Sequence, residues 1–162
     1  MSQEQVTRPA TDEPVIAAIP NATLVKGVLG TGSRLHTLVI TPRRVIFART
    51  TVKMLKAITD EARDAAKAEG KGRLGQWGAQ MGAQGILAAR YFETPLDEIL
   101  AEHEANFAIE RDSIVKARLK AGTMDQPGSD RLIIKTTGKK YNVTLGSGMQ
   151  QAREALLEAA MI

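Results

Sequence analysis

The chain has 162 residues, of which 43% are hydrophobic and 25% charged, with a formal net charge of +4. It contains no cysteine, which excludes disulfides, thiol nucleophiles and cysteine-ligated zinc and suits a reducing compartment such as the cytoplasm. No apolar run approaches the roughly eighteen residues that a spanning helix requires, so a soluble protein is expected. The length gives a core of useful size. The modest positive charge favours an anionic partner but serves solubility equally well.

Residues 1–14 (MSQEQVTRPATDEP) are polar, carry two prolines and have no apolar centre. They predict a disordered arm rather than a secretion signal, with a single domain over 15–162. Thr23–Gly30 (TLVKGVLG) reads as a strand, and Gly30-Thr31-Gly32-Ser33 as a turn. In Arg34–Thr41 (RLHTLVIT), Leu35, Thr37 and Val39 alternate with His36, Leu38 and Ile40, as in a strand. Pro42 sets a tight turn before a third strand, Arg44–Thr50.

The texture then turns helical. Val52–Gly70 is rich in Ala, Lys and Glu, with Met54, Leu55, Ile58, Ala62, Ala65 and Ala66 at helical spacing. A second helical segment is expected over Arg73–Tyr91. Thr94 is placed as an N-cap, with Pro95 first in a short helix and Asp97 and Glu98 in its first turn. The helical insertion thus covers about 52–104.

Strand texture returns at Asn106–Glu110. In Ser113–Ala121, Lys116, Arg118 and Lys120 lie on one side and Val115, Ala117 and Leu119 on the other. After a loop, Arg131–Thr137 and Lys139–Leu145 flank a Thr137-Gly138-Lys139 hairpin. Gly148–Ile162 is an amphipathic helix with Met149, Ala152, Leu156, Ala159 and Ala160 close to one stripe.

Two stretches carry a family resemblance. Leu38-Val39-Ile40-Thr41-Pro42-Arg43-Arg44-Val45-Ile46-Phe47 makes an apolar–turn–basic–apolar hairpin. Leu132-Ile133-Ile134-Lys135-Thr136 leads to Gly138-Lys139-Lys140-Tyr141-Asn142-Val143. Together with the element order, these resemble the pleckstrin-homology-like (PH-like) and GRAM-like domains of bacteria. The resemblance implies an α+β fold: a seven-stranded antiparallel barrel, a C-terminal helix burying its open corner through Leu156 and Leu157, and an inserted helical hairpin. It also implies a non-enzymatic interaction or assembly module without a cofactor.

The residues give little for catalysis or metal binding. His36 and His103 are the only histidines, far apart and without a triad pattern or enough neighbouring ligands for a metal. Gly30-Thr31-Gly32 lacks the phosphate-loop pattern.

Two surfaces remain. Gly75, Gly78, Gly82 and Gly85 fall on one helix face, with Trp77 and Met81 opposite. A glycine costs a helix up to about 1 kcal/mol relative to alanine, so four on a stripe predict a close approach. Three approaches compete: packing within the chain, self-association with a second copy, or weak contact with a membrane surface. A loop is the fourth possibility. The other surface is basic. Lys116, Arg118 and Lys120 share a strand face that Lys135, Lys139 and Lys140 can adjoin, and Lys26, Arg34, Arg43 and Arg44 surround the early hairpins. These are candidates for phospholipid headgroups or an acidic protein, and equally for a solvated face. Six aromatic residues are too few for a nucleic-acid stacking platform. Self-association through the glycine stripe is the leading expectation, and anion binding through the basic strands the alternative.

Overall fold

A computed structural model describes residues 13–27, 31–69, 73–125 and 130–162, with the side chains of 65–69 and 73–81 outside the described set. The chain runs β1 (Ala17–Val25), β2 (Arg34–Ile40), β3 (Arg44–Arg49), α1 (Val52–Glu69), α2 (Arg73–Arg90), α3 (Leu96–Ala101), β4 (Phe107–Glu110), β5 (Ile114–Lys120), β6 (Arg131–Thr136), β7 (Lys140–Thr144) and α4 (Met149–Glu158).

The strands form one antiparallel sheet in the order β4-β3-β2-β1-β7-β6-β5. A 3-10 turn at Arg111–Ser113 joins the edge strands β4 and β5, which do not pair with each other. The closed barrel expected from the sequence is therefore an open sheet.

β1 is the hinge of this sheet. It pairs with β2 along most of its length but with β7 only at Thr23, Leu24 and Val25. It begins six residues earlier than the sequence predicts, because Pro20 and Asn21 disguise the strand. The β1–β2 register shifts between Ile19 and Ala22, and Asn21 takes φ 61°. A bulge of this kind tolerates a proline and a left-handed asparagine, and it bends the strand.

Both sheet faces are covered over β1–β3. On one side Leu24, Leu38, Ile40, Val45, Phe47, Leu132, Ile134 and Val143 form a core closed by Ala152, Ala155, Leu156 and Ala159 of α4. Gly148 precedes α4 because a Cβ there would come within 2.4 Å of the Ile19 side chain. The helix is shorter than expected, and Ala160 at φ 56° returns Met161 to the core. Leu157, expected to bury beside Leu156, points to solvent.

On the other side Ala18, Val39, Ile46 and Ala48 meet Ile58 of α1, Ile86, Leu87 and Ala88 of α2, and Leu96 and Ile99 of α3. Thr51 caps α1, its Oγ1 accepting from the Met54 N–H at 3.1 Å. The predicted cap of α3 is not formed. Pro95 takes the cap position, and the Thr94 hydroxyl donates to the Arg90 carbonyl. Asn106 ties the end of the insertion to the sheet. Its Oδ1 accepts from the Arg49 N–H and its Nδ2 donates to the Ile99 carbonyl, both at 2.7 Å.

Candidate anion-binding face

The inserted helices cover the outer side of β1–β3 and leave that of β5–β7 open. Alternation in β5 sends Ala117 and Leu119 to the core and exposes Lys116, Arg118 and Lys120. A register shift between Ile114 and Lys116 also turns Val115 out, against the expected inward position. In β6, Leu132 and Ile134 face the core while Arg131, Ile133 and Lys135 face outward. In β7, Tyr141 and Val143 face the core, leaving Lys140, Asn142 and Thr144 on the outside. The β6–β7 hairpin keeps this register: Thr136 donates through its N–H and its hydroxyl to the Lys139 carbonyl, at 2.8 and 3.0 Å.

Register builds three rows across the strands. Lys116 pairs with Lys135, which pairs with Lys140. Arg118 pairs with Ile133 and that with Asn142, while Lys120 pairs with Arg131 and that with Thr144. Directly opposed side chains stand only about 4.5–5.5 Å apart at Cβ, and like charges there are destabilising. Lys116, Arg118, Lys135 and Lys140 rim a depression of about 280 Å³ over Ile133. None of the six cations has an acidic partner within ion-pair distance among the described residues, where Arg44 and Arg90 alone form ion pairs.

Of the candidates named from the sequence, Lys116, Arg118, Lys120 and Lys135 come together. Lys140 joins them, and Arg131, which no sequence pattern singles out, completes the lower row. Lys139 does not join, since its ammonium lies 5.3 Å from the centroid of the Tyr141 ring. Arg43 and Arg44 stand instead at the β2–β3 turn beside the end of β4, where the Arg111 N–H donates to the Arg43 carbonyl, and they share none of these rows. Arg44 Nε sits 3.1 Å from the nearly buried Glu13 and 3.8 Å from Glu110.

The glycine stripe does not lie on one continuous helix. Gly82 has φ 67° and ψ 176°, which breaks α2 into two helical segments. Gly82 is exposed and Gly85 buried. Gly75, Gly78, Trp77 and Met81 have their side-chain positions outside the described residues, as does most of the arm expected over 1–14.

His36 is buried, and its Nδ1–H donates to the Arg34 carbonyl at 2.9 Å. Burial holds its pKa below the usual 6.5, and the nearby Arg49 and Lys26 charges act in the same direction. His103 Nδ1 accepts from the Ala105 N–H. Tyr91, just after α2, is buried among the inserted helices and the sheet, and burial, then the Glu102 carboxylate, pushes its pKa above the ordinary tyrosine value. Among the described residues no three histidine, aspartate or glutamate side chains are grouped to hold a metal, and no helix is long and apolar enough to cross a membrane.

No protein-family model matches the chain, and no curated protein is detectably similar to it. Among solved structures it is similar to the C-terminal domain of an unknown protein from Leishmania infantum. That likeness covers 97% of this chain and 96% of the other, with a TM-score of 0.50 at 17% identity, and it is a likeness of fold.

Proposed function

We propose that the chain is a non-catalytic binding module of PH-like type whose β5–β7 face takes an anionic partner. The strand order and the helix packed on one face of the bent sheet support the PH-like reading. The Lys116–Lys135–Lys140 row carries the binding reading. Three cations placed side by side with no acid among them repel one another. The fold bears that cost, and an anion on the row relieves it. At about 280 Å³ the depression falls just below the usual range of small-molecule pockets, roughly 300–1,000 Å³. It suits a single anionic group or one inserted side chain. Assembly through the glycine-rich α2 is the lesser reading, because the apolar residues of its second half are already spent on the sheet.

Titration with inorganic tripolyphosphate, followed by amide chemical shifts, tests this. The expected result is saturable shifts confined to β5–β7, centred on Lys116, Ile133, Lys135 and Lys140, and lost in Lys116→Glu/Lys135→Glu. Shifts scattered over all basic residues, or none, would overturn it.

A further inference from the structure

We infer that the anionic partner of this face is the acidic ridge of a second copy of the same chain, joined head to tail; this rests on the binding reading above. Between Arg90 and Arg111 the sequence has no lysine or arginine. Glu93, Asp97, Glu98, Glu102 and Glu104 in that stretch are all exposed, and none makes an ion pair among the described residues. The β5 and β6–β7 segments are the converse, since Ile114–Lys120 and Arg131–Thr144 contain no acid at all. One chain therefore carries two surfaces of opposite sign, neither neutralised by ion pairs among the described residues.

The shapes agree with the charges. Phe92, immediately before the ridge, leaves 49% of its surface exposed, whereas Phe47 is fully buried and Phe107 stacks on it with ring centroids 4.7 Å apart. The basic depression has an apolar floor in Ile133 and a cationic rim. An exposed aromatic side chain followed directly by Glu93 has the form to fill it, with the carboxylates of the acidic stretch meeting Lys116, Arg118, Lys135 and Lys140.

A molecule's ridge does not serve its own face. α3 packs on the outer side of β3 over Ile46 and Ala48, the basic residues stand on the outer side of β5–β7, and the core lined by both halves of the sheet lies between the two. The contact is then heterologous, so copies add in series into a ring or a filament rather than stopping at a symmetric pair. Because both partners are exposed, added salt weakens it.

Sedimentation over a concentration series at low and moderate salt tests the inference. Wild-type mass should climb past a dimer at low salt and fall back toward 17.5 kDa as salt is added. Lys116→Glu/Lys135→Glu and Asp97→Lys/Glu98→Lys should each be monomeric alone, and an equimolar mixture of the two should associate again. Phe92→Ser should weaken association about tenfold or more, as loss of a central aromatic anchor does. If a reversal variant fails to fold by circular dichroism, Lys116→Gln/Lys135→Gln replaces it, with association weakened at low salt as the expected result. A wild type that stays monomeric at low salt, or a mixture that does not recover, overturns the inference. If tripolyphosphate still maps to β5–β7 in such a monomer, the binding reading survives and the self-partner falls.

Discussion

His36 enters the core as a neutral ring. Its Nδ1–H is spent on the Arg34 carbonyl, its ring stands at 80° to that of Phe47 with centroids 6.0 Å apart, and Arg49 is its cross-strand neighbour. Protonation would put a charge where burial and two cations oppose it, so the folded pKa lies below the unfolded value of 6.5. The unfolded chain thus binds more protons as pH falls below 6.5, and folding stability declines with it until the folded pKa is passed. Thermal melts across this range should show that decline, and His36→Gln should flatten part of it. An unchanged slope in the variant would assign the acid sensitivity to other groups. The alternation around His36 is legible in the sequence, but its burial is not. His36 shares the Leu38 and Ile40 face, against Phe47 in the main core, while the insertion covers Val39 on the other face, so alternation alone does not tell which face buries the ring.

At the scale of elements, α4 offers a direct comparison between adjacent leucines. Leu156 is fully buried and Leu157 is 57% exposed. Leu156→Ala should cost about 2–5 kcal/mol, in line with large-to-small changes in packed cores. Leu157→Ala should stay within about 0.5 kcal/mol, as surface changes do. Chemical denaturation of the two variants measures both, and equal losses would mean the helix is rotated. The sequence shows an amphipathic helix but not its phase, since alanines at 152, 155 and 159 leave the apolar stripe broad. β5 is the reverse case. Its alternation alone puts Lys116, Arg118 and Lys120 on one face. Their alignment with Arg131, Lys135 and Lys140 depends on cross-strand register, which the two-residue Thr137-Gly138 turn and the β5–β6 pairing set. The insertion is legible as helix, and the break at Gly82 is not, because glycine spacing alone does not distinguish a packing stripe from a kink. The start of β1 is hidden by Pro20, a residue that argues against a central strand unless a bulge receives it.

Across the whole molecule, cover and charge divide along β1. β2 and β3 lie between two packed layers, and β5 is an edge strand whose outer residues Lys116, Arg118 and Lys120 are exposed. Hydrogen exchange should follow this division, with amides from Leu38 to Phe47 slowest and those of β5 fastest among the strands. Uniform protection over all seven strands would contradict the two-layer account. The bulge in β1 has one more consequence, for the chain as it is made. Thr23 pairs with Thr144, so the second edge of β1 waits for a partner more than a hundred residues downstream. At ribosomal speeds that wait is on the order of ten seconds. An exposed, regular strand edge is a template for pairing with other nascent chains. Pro20 offers no N–H, and Asn21 kinks the backbone beside it. The same two residues that bend the finished sheet make its unfinished edge a poor seed for aggregation.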